Sequence, residues 1–389
     1  MWAHRWLKAK TEKFKQEYTI LGIDMSSAFD TICRTQLLNI LETFLDKDHL
    51  RLIKTLLANT KLVFASGEET AEIRTTLGTP QGDSLSPILF TIYLEAALRE
   101  LRPKLTNLNL PTNELAYADD VDFIFSTLRA ARDQIPIISS TLKKYNLKVN
   151  ETKTELTNVK RNTHDWKGVR KLGSLINEKE DIIKRRNLAQ IAYNDLEKMW
   201  RNKIIPESLK LHLYDTLITP ILMYNCGTWG LTTKNLESID TLHRRQLRRT
   251  IGIKWPDKIT NEDLYERCRT KPISDKIVEQ RWQLFGHILR RDENIPAQVA
   301  MTEYFQCTST KNVGRPPTSL PITLNQDLKN LVRSGLNTSK KSEFTIEPKP
   351  TKLTETKDLE LLRAVAQDRD IWKEFTSRIC RAYHKFKKD

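Results

Sequence analysis

Long hydrophobic runs are missing from this chain: no stretch approaches the roughly 20 consecutive apolar residues that a bilayer-spanning helix needs. The first residues, Met1-Trp-Ala-His-Arg-Trp-Leu-Lys, contain no apolar core of a secretory leader. No membrane partner is therefore expected, and an intracellular location is. Cysteine is scarce. The five, Cys33, Cys226, Cys268, Cys307 and Cys380, are odd in number and far apart, which argues against a disulfide framework and against any zinc site built on Cys-x2-Cys, a zinc knuckle included. Internal repeats are absent, and so is any Lys/Arg-only run strong enough to serve alone as a nuclear address.

What is present suits two or three globular domains with a sizeable core: 389 residues, 39% hydrophobic and 29% charged. Charge is unevenly placed. The formal net charge is +15, yet residues 1–160 hold 21 Lys and Arg against 20 Asp and Glu, while the remainder holds 43 against 29. The simplest physical reading is a nearly neutral first part that carries chemistry and a basic second part that lies on a polyanion.

From residue 18 to about 175, short apolar strands alternate with helices. Residues 18–23 read as a strand. Leu37, Leu38, Ile40, Leu41, Phe44 and Leu45 follow the helical period, and residues 49–58 repeat it. Residues 61–65 and 71–76 flank Ser66-Gly67 as a strand pair, and Gly78-Thr-Pro-Gln-Gly-Asp is a loop that opens a helix at about 87–101. Leu115-Ala116 and Val121 to Phe125 enclose Tyr117-Ala118-Asp119-Asp120 as a hairpin, followed by a helix at 130–145 and a strand at 153–159. Beyond about residue 178 helical patterns take over, as at 182–200, 209–224, 236–251 and 277–289. His287, between Trp282, Phe285 and Ile288, reads as a packed structural histidine.

Two adjacent carboxylates on a tight turn attract a metal, although an Asp-Asp turn alone is often only solvated. Asp24 ends the strand 18–23 and can meet the hairpin if the two strands are neighbours in one sheet. The three acids would then hold two Mg2+, roughly 3.5–4 Å apart, that stabilise the attacking and leaving oxygens of a phosphoryl transfer. Four blocks stand in the matching order: Ile23-Asp24-Met-Ser-Ser-Ala-Phe29-Asp30, Gly78-Thr-Pro-Gln81-Gly82-Asp-Ser-Leu-Ser-Pro87, Tyr117-Ala-Asp119-Asp120 and Leu147-Lys-Val-Asn150-Glu-Thr-Lys153-Thr-Glu155. Together they resemble the palm of a reverse transcriptase of the non-LTR, LINE-type retrotransposons.

The resemblance implies an α+β fold: a right-hand polymerase palm, an antiparallel sheet with helices packed on it, at 1–177, then an all-α region. Of that region 178–300 would be thumb-like, 301–357, rich in Pro, Ser, Thr and Lys, a linker or loosely held segment, and 358–389 a C-terminal helix. It also implies an RNA-directed DNA polymerase that takes an RNA template, a DNA primer and deoxynucleoside triphosphates. The cofactor would be two Mg2+, with Mn2+ as a substitute, held by Asp24, Asp119 and Asp120. Asp120 would either touch one ion or orient Asp119, and Asp30 and Asp122 are read as surface or packing acids. Phe29 would exclude a 2′-hydroxyl, Gln81 and Gly82 would contact nucleotide or template, and Lys153 would help protonate pyrophosphate. Arg170 to Leu175 is similar to the primer-grip segment. Arg244, Arg245, Arg248 and Arg249 would track duplex phosphates on one side of a helix, with Lys184, Arg185 and Arg186 doing the same. Tyr214 to Tyr224, Arg281 to Arg291, Gly314-Arg-Pro-Pro and Ala366 to Trp372 extend the likeness.

The pattern departs from the family in front of the palm. Fewer than twenty residues precede the first strand, so the fingers and an endonuclease are expected to be missing, as in a truncated element copy. A catalytically inactive nucleic-acid-binding remnant is the alternative, and an RNA-dependent RNA polymerase is disfavoured by Phe29. The family also implies a nuclear location.

Overall fold

The computed structural model describes residues 1–58, 60–67, 69–80, 82–106, 112–315, 317–336 and 349–387. They fall into two units, Glu17–Val159 and the pair Met1–Gln16 with Lys160–Asp389. The chain opens with α1 (Trp2–Lys13), which belongs to the second of these.

In Glu17–Val159 the uncharged run Tyr18–Ile23 forms β1 and is buried along its whole length. It is followed by β2 (Met25–Ser26), α2 (Arg34–Glu42), α3 (Lys47–Ala58), the ribbon β3 (Lys61–Ser66) and β4 (Glu69–Arg74), and α4 (Ser86–Leu101). Then come β5 (Glu114–Tyr117), β6 (Asp120–Phe125), α5 (Leu128–Lys144), β7 (Lys148–Val149) and β8 (Glu155–Val159). One antiparallel sheet has the order β5-β6-β1-β8, with β1 bonded to β6 on one side and β8 on the other. Burial of apolar surface on α4 and α5 against this sheet is what holds it. Leu21, Phe90, Tyr93, Ala97, Leu101, Phe123 and Phe125 are in the core, and the Thr127 hydroxyl caps α5 by accepting from the Ala130 N–H. The fold class is thus α+β, as expected. Leu62, Phe64 and Ile73 on the β3/β4 ribbon and Leu52 and Leu56 on α3 stay exposed.

The other unit adds the small hairpin β9 (Arg170–Lys171) and β10 (Ser174–Leu175) to helices α6 (Glu178–Asp195), α7 (Glu197–Arg201), α8 (Glu207–Leu217), α9 (Thr219–Met223) and α10 (Thr233–Thr250). It continues through α11 (Asn261–Arg267), α12 (Ile273–Leu289), α13 (Pro296–Gln306), α14 (Leu320–Arg333), α15 (Thr356–Gln367) and α16 (Arg369–Lys387). Its interior takes in charge. Arg5 and Asp181 have no exposed surface and pair at 3.3 Å; Asp181 also accepts from the Trp229 indole N–H at 2.8 Å and the Leu175 N–H at 2.9 Å. Burial alone would lower the Lys8 ammonium, but Glu178 and Glu12 beside it outweigh that and raise it. Arg281 and Asp327 form a second buried pair at 2.9 Å.

Three boundaries differ from the sequence expectation. Residues 1–16 and 160–177 group with the helical unit, not with the sheet, because α1 buries nearly every side chain there, including Arg5, Trp6 and Lys8. The expected linker 301–357 contains α14, whose Leu320, Leu324, Leu328 and Leu331, one helical stripe, are wholly buried; residues 316 and 337–348 lie outside the described ones. The single C-terminal helix is two. Asp368 leaves the helical conformation and its carboxylate accepts from the Asp370 and Ile371 N–H groups, capping α16. Among the described residues no helix is long and apolar enough to cross a membrane.

Candidate catalytic site

The ladder between β1 and β6 ends at the pair Ile23–Val121. One residue further out, Asp24 and Asp120 stand side by side, because neighbouring strands are only about 4.8 Å apart. Asp119 is at the tip of the β5/β6 turn, next to Ala118, whose φ of 52° is left-handed. That conformation costs an alanine about 1–2 kcal/mol, so the flanking Tyr117–Asp120 pair must hold it. Asp119 and Asp120 are exposed and Asp24 is half-buried.

Lys153 reaches the same edge, with Nζ 3.8 Å from Asp24 Oδ2. Its turn is tied to the first acid: the Asn150 N–H donates to the Asp24 carbonyl at 2.8 Å, the Lys153 and Thr154 N–H groups donate to the Asn150 carbonyl, and Met25 pairs with Val149. The glycine loop is bound to the same segment. Thr79 N–H donates to the Phe29 carbonyl at 3.0 Å and Gly78 N–H to the Ile32 carbonyl at 2.9 Å. Gly78 has φ 74°, and a Cβ there would lie 2.8 Å from the Asp30 backbone, so both its conformation and its surroundings demand glycine. Phe29 is half-buried and stacks on Phe90 with ring centres 4.4 Å apart. Gly82 has φ 89° and open space around it, while Gln81 lies outside the described residues. Asp122 is buried in the sheet and Asp30 is exposed behind Gly78.

Sequence reasoning missed Arg34. Its guanidinium donates to the carbonyls of Gly78 at 2.8 Å, of Leu57 and Thr75 at 2.7 Å and of Leu77 at 3.1 Å, and so pins the glycine loop; burial lowers its pKa from the ordinary arginine value. A signal existed. Arginine in the first turn of a helix faces the wrong end of the dipole and is expected there only when something binds it.

Among the described residues no three His, Cys, Asp or Glu side chains converge on a point that could hold a metal ion. The acids share one end of the sheet without enclosing a common centre. Their chemistry nonetheless fits a hard divalent cation: carboxylate oxygens, solvent-accessible, at an edge that already draws the Lys153 ammonium to Asp24.

The four arginines of α10 form two i,i+4 pairs with different surroundings. Arg244 is held by Glu237 at 2.6 Å, and Arg248 by Asn261 at 2.9 Å. Arg245 and Arg249 are more exposed and reach Gln190 and Glu197. Arg185, expected on phosphates, is instead buried, donating to the Gly173 carbonyl at 2.5 Å and lying over the Tyr224 ring; it fixes the β9/β10 turn. His287 is exposed, not packed: α12 turns it outward while Trp282 and Phe285 point in.

Residues 3–176 match the family described as Reverse transcriptase (RNA-dependent DNA polymerase). The chain is similar to two Retrovirus-related Pol polyproteins from type-1 retrotransposable element R2. The one from Popillia japonica is 28% identical over 123 residues, 30% of this chain and 19% of that protein; the one from Bradysia coprophila is 23% identical over 274 residues, 63% and 31%. A solved telomerase from Candida tropicalis, in complex with a fragment of telomeric RNA, is 14% identical with a TM-score of 0.41, covering 78% of this chain and 50% of that one. The chain therefore spans half or less of the length of each of these three proteins.

Proposed function

We propose that this chain, which belongs through residues 3–176 to the reverse transcriptases and has non-LTR retrotransposon relatives, is an RNA-directed DNA polymerase. The reading rests above all on one observation, the β1/β6 register that ends at Ile23–Val121, which leaves Asp24 and Asp120 as the next residues out on neighbouring strands and Asp119 at the turn. Asp24, Asp119 and Asp120 would hold divalent cations, Mg2+ in this proposal with Mn2+ able to replace it. Such ions supply charge neutralisation on the attacking and leaving oxygens of the transfer. In that transfer the primer 3′-oxygen bonds to the α-phosphorus of a deoxynucleoside triphosphate as the bond to pyrophosphate breaks.

The chain's own residues do the rest. Lys153, beside Asp24, is suited to pass a proton to pyrophosphate. Phe29, propped by Phe90, presents a ring edge that a 2′-hydroxyl would meet. The pinned glycine loop, with Gly82 bare of neighbours, leaves room for template and incoming base. Arg245 and Arg249, the more exposed pair on α10, are proposed to lie on duplex phosphates. RNA template, DNA primer and a nuclear site of action belong to the same proposal.

The test is primer extension on an oligo-dT/poly-rA duplex with deoxynucleotides and Mg2+, beside an Asp119→Ala, Asp120→Ala double variant. Metal-dependent extension confined to the wild type supports the polymerase. Binding of the duplex by both proteins with extension by neither overturns it in favour of a nucleic-acid-binding chain without catalysis.

A further inference from the structure

The helical unit contains two adjoining cavities, of about 1000 and 510 Å3, that share Lys271, Glu279 and Gln283 as lining residues. Their common floor is the outward stripe of α12. Lys276, Glu279, Gln283, His287 and Arg290 follow one another at three- and four-residue steps, on the side opposite the buried Ile277, Trp282 and Phe285. From residue 276 to 290 the helix spans about 21 Å. The groove therefore runs along most of α12 and is walled at one end by α16.

Its charge is one-sided. Seven Lys and Arg line the two cavities against three carboxylates, and two of the three are already used: Glu207 pairs with Arg267 at 2.8 Å and Asp215 with Lys276 at 3.3 Å. Glu279, the third, accepts from Gln283. Among the described residues, Lys271, Arg369 and Lys373 have no carboxylate partner. Arg290 donates to the Ala366 carbonyl, and its pKa is lowered, by burial first and then by Arg369 nearby. Like charges gathered in one cavity with so little to balance them make a positive field that favours an anion.

Each end also holds a buried polar atom with nothing to bond. Thr376 is 4% exposed and its hydroxyl has no partner at the α16 end. At the other end, Tyr214 donates its only hydroxyl proton to Gln246, so it can only accept from His243 Nδ1–H; His243 Nε2 is left as a bare lone pair, buried and unpartnered. Burial pushes His243 down to about 3, which keeps that ring neutral and an acceptor at physiological pH.

We propose that this groove along α12 is a binding site for a single strand of nucleic acid, its phosphates held by Lys271, Arg290, Arg369 and Lys373. Trp372 and Tyr214 are buried, so the large rings of the groove offer no stacking platform, and the exposed rings along it are the imidazoles of His212 and His287. The inference rests on the polymerase reading only in taking a nucleic acid as the ligand; no catalytic acid takes part.

The experiment is fluorescence anisotropy of a labelled oligouridylate of about 15 nucleotides with the full chain, across a series of salt concentrations. Arg369→Glu with Lys373→Glu should weaken binding at least tenfold. For the neutral pair Arg369→Gln with Lys373→Gln, losing two phosphate contacts, log K should fall less steeply with log salt by about 1.4. Lys47→Glu with Lys54→Glu, an equal charge change on the exposed face of α3, should alter affinity less than twofold. An Asp119→Ala, Asp120→Ala chain should bind the strand as the wild type does, so loss of extension with retained binding separates this site from the polymerase reading. Unchanged affinity in the Arg369/Lys373 pairs, or equal loss in the α3 pair, overturns the proposal. Displacement of the strand by a polyglutamate peptide at matched charge as readily as by unlabelled oligouridylate also overturns it, in favour of an acidic protein partner.

Discussion

The two units place their charges in opposite ways. In Glu17–Val159 the core around Phe90, Tyr93 and Phe123 is apolar, and Asp24, Asp119, Asp120 and Lys153 sit at the solvent edge of the sheet. In the helical unit, charge goes inside: Arg5 with Asp181, Lys8 with Glu178, Arg281 with Asp327. The first arrangement separates chemistry from folding, because an edge carboxylate can be lost without opening the core. The second makes charge part of the scaffold, since a buried ion deprived of its partner is strongly destabilising.

The largest effect should come from Asp24→Ala. If the edge acids hold the catalytic charge, extension falls by at least about a thousandfold, the rate equivalent of several kcal/mol, while the melting temperature stays at the wild-type value. A variant that loses activity only as far as it unfolds would erase the contrast between the units.

Much of this site was legible beforehand, for physical reasons. A strand with two buried faces, a two-residue turn between apolar runs and a glycine loop each leave a local trace, and the order of the four blocks tied them together. Arg34 left only the oddity of an arginine in the first turn of a helix, and the network around Arg5 and Asp181 left nothing that stood out, because their partners are far away in sequence: Arg34 binds carbonyls some 23 to 44 positions on, and Arg5 meets Asp181 176 positions away. The leucine stripe of α14 was readable but was outweighed by the surrounding Pro, Ser and Lys. Asp368 lies in a continuous helical pattern, so nothing local marks the capping role by which it ends one helix and starts the next.

Asp181→Ala sharpens the comparison from the other side. It leaves Arg5 with the Glu178 carboxylate at 3.8 Å and takes the acceptor from the buried Trp229 N–H, and a loss of about 3–5 kcal/mol is expected in urea unfolding. Gly286→Ala comes next. A Cβ there would lie 2.0 Å from the Trp372 indole nitrogen, whose N–H donates to the Trp282 carbonyl, so α12 and α16 must shift. Overpacking of this kind costs about 1–3 kcal/mol and should appear as a lower thermal midpoint.

The effect with the gentlest slope depends on pH. His243 is neutral and buried, with its pKa lowered to about 3, whereas the unfolded chain protonates near 6.5. The unfolded state therefore binds the extra proton between those values. Stability is full above about 6.5 and falls as the pH drops toward 3, with a slope on the order of 1 kcal/mol per pH unit. Urea unfolding from pH 7 to 4 should show that slope in the wild type and a flatter one in His243→Gln; equal slopes would remove His243 from the account.

The central claim, that Asp24, Asp119 and Asp120 at one sheet edge hold the catalytic cations, is tested most directly by electron paramagnetic resonance of Mn2+ added to the wild type and to an Asp24→Ala variant of equal melting temperature. The account predicts a population of bound Mn2+ in the wild type that Asp24→Ala loses. Equal Mn2+ binding by the two proteins would contradict it.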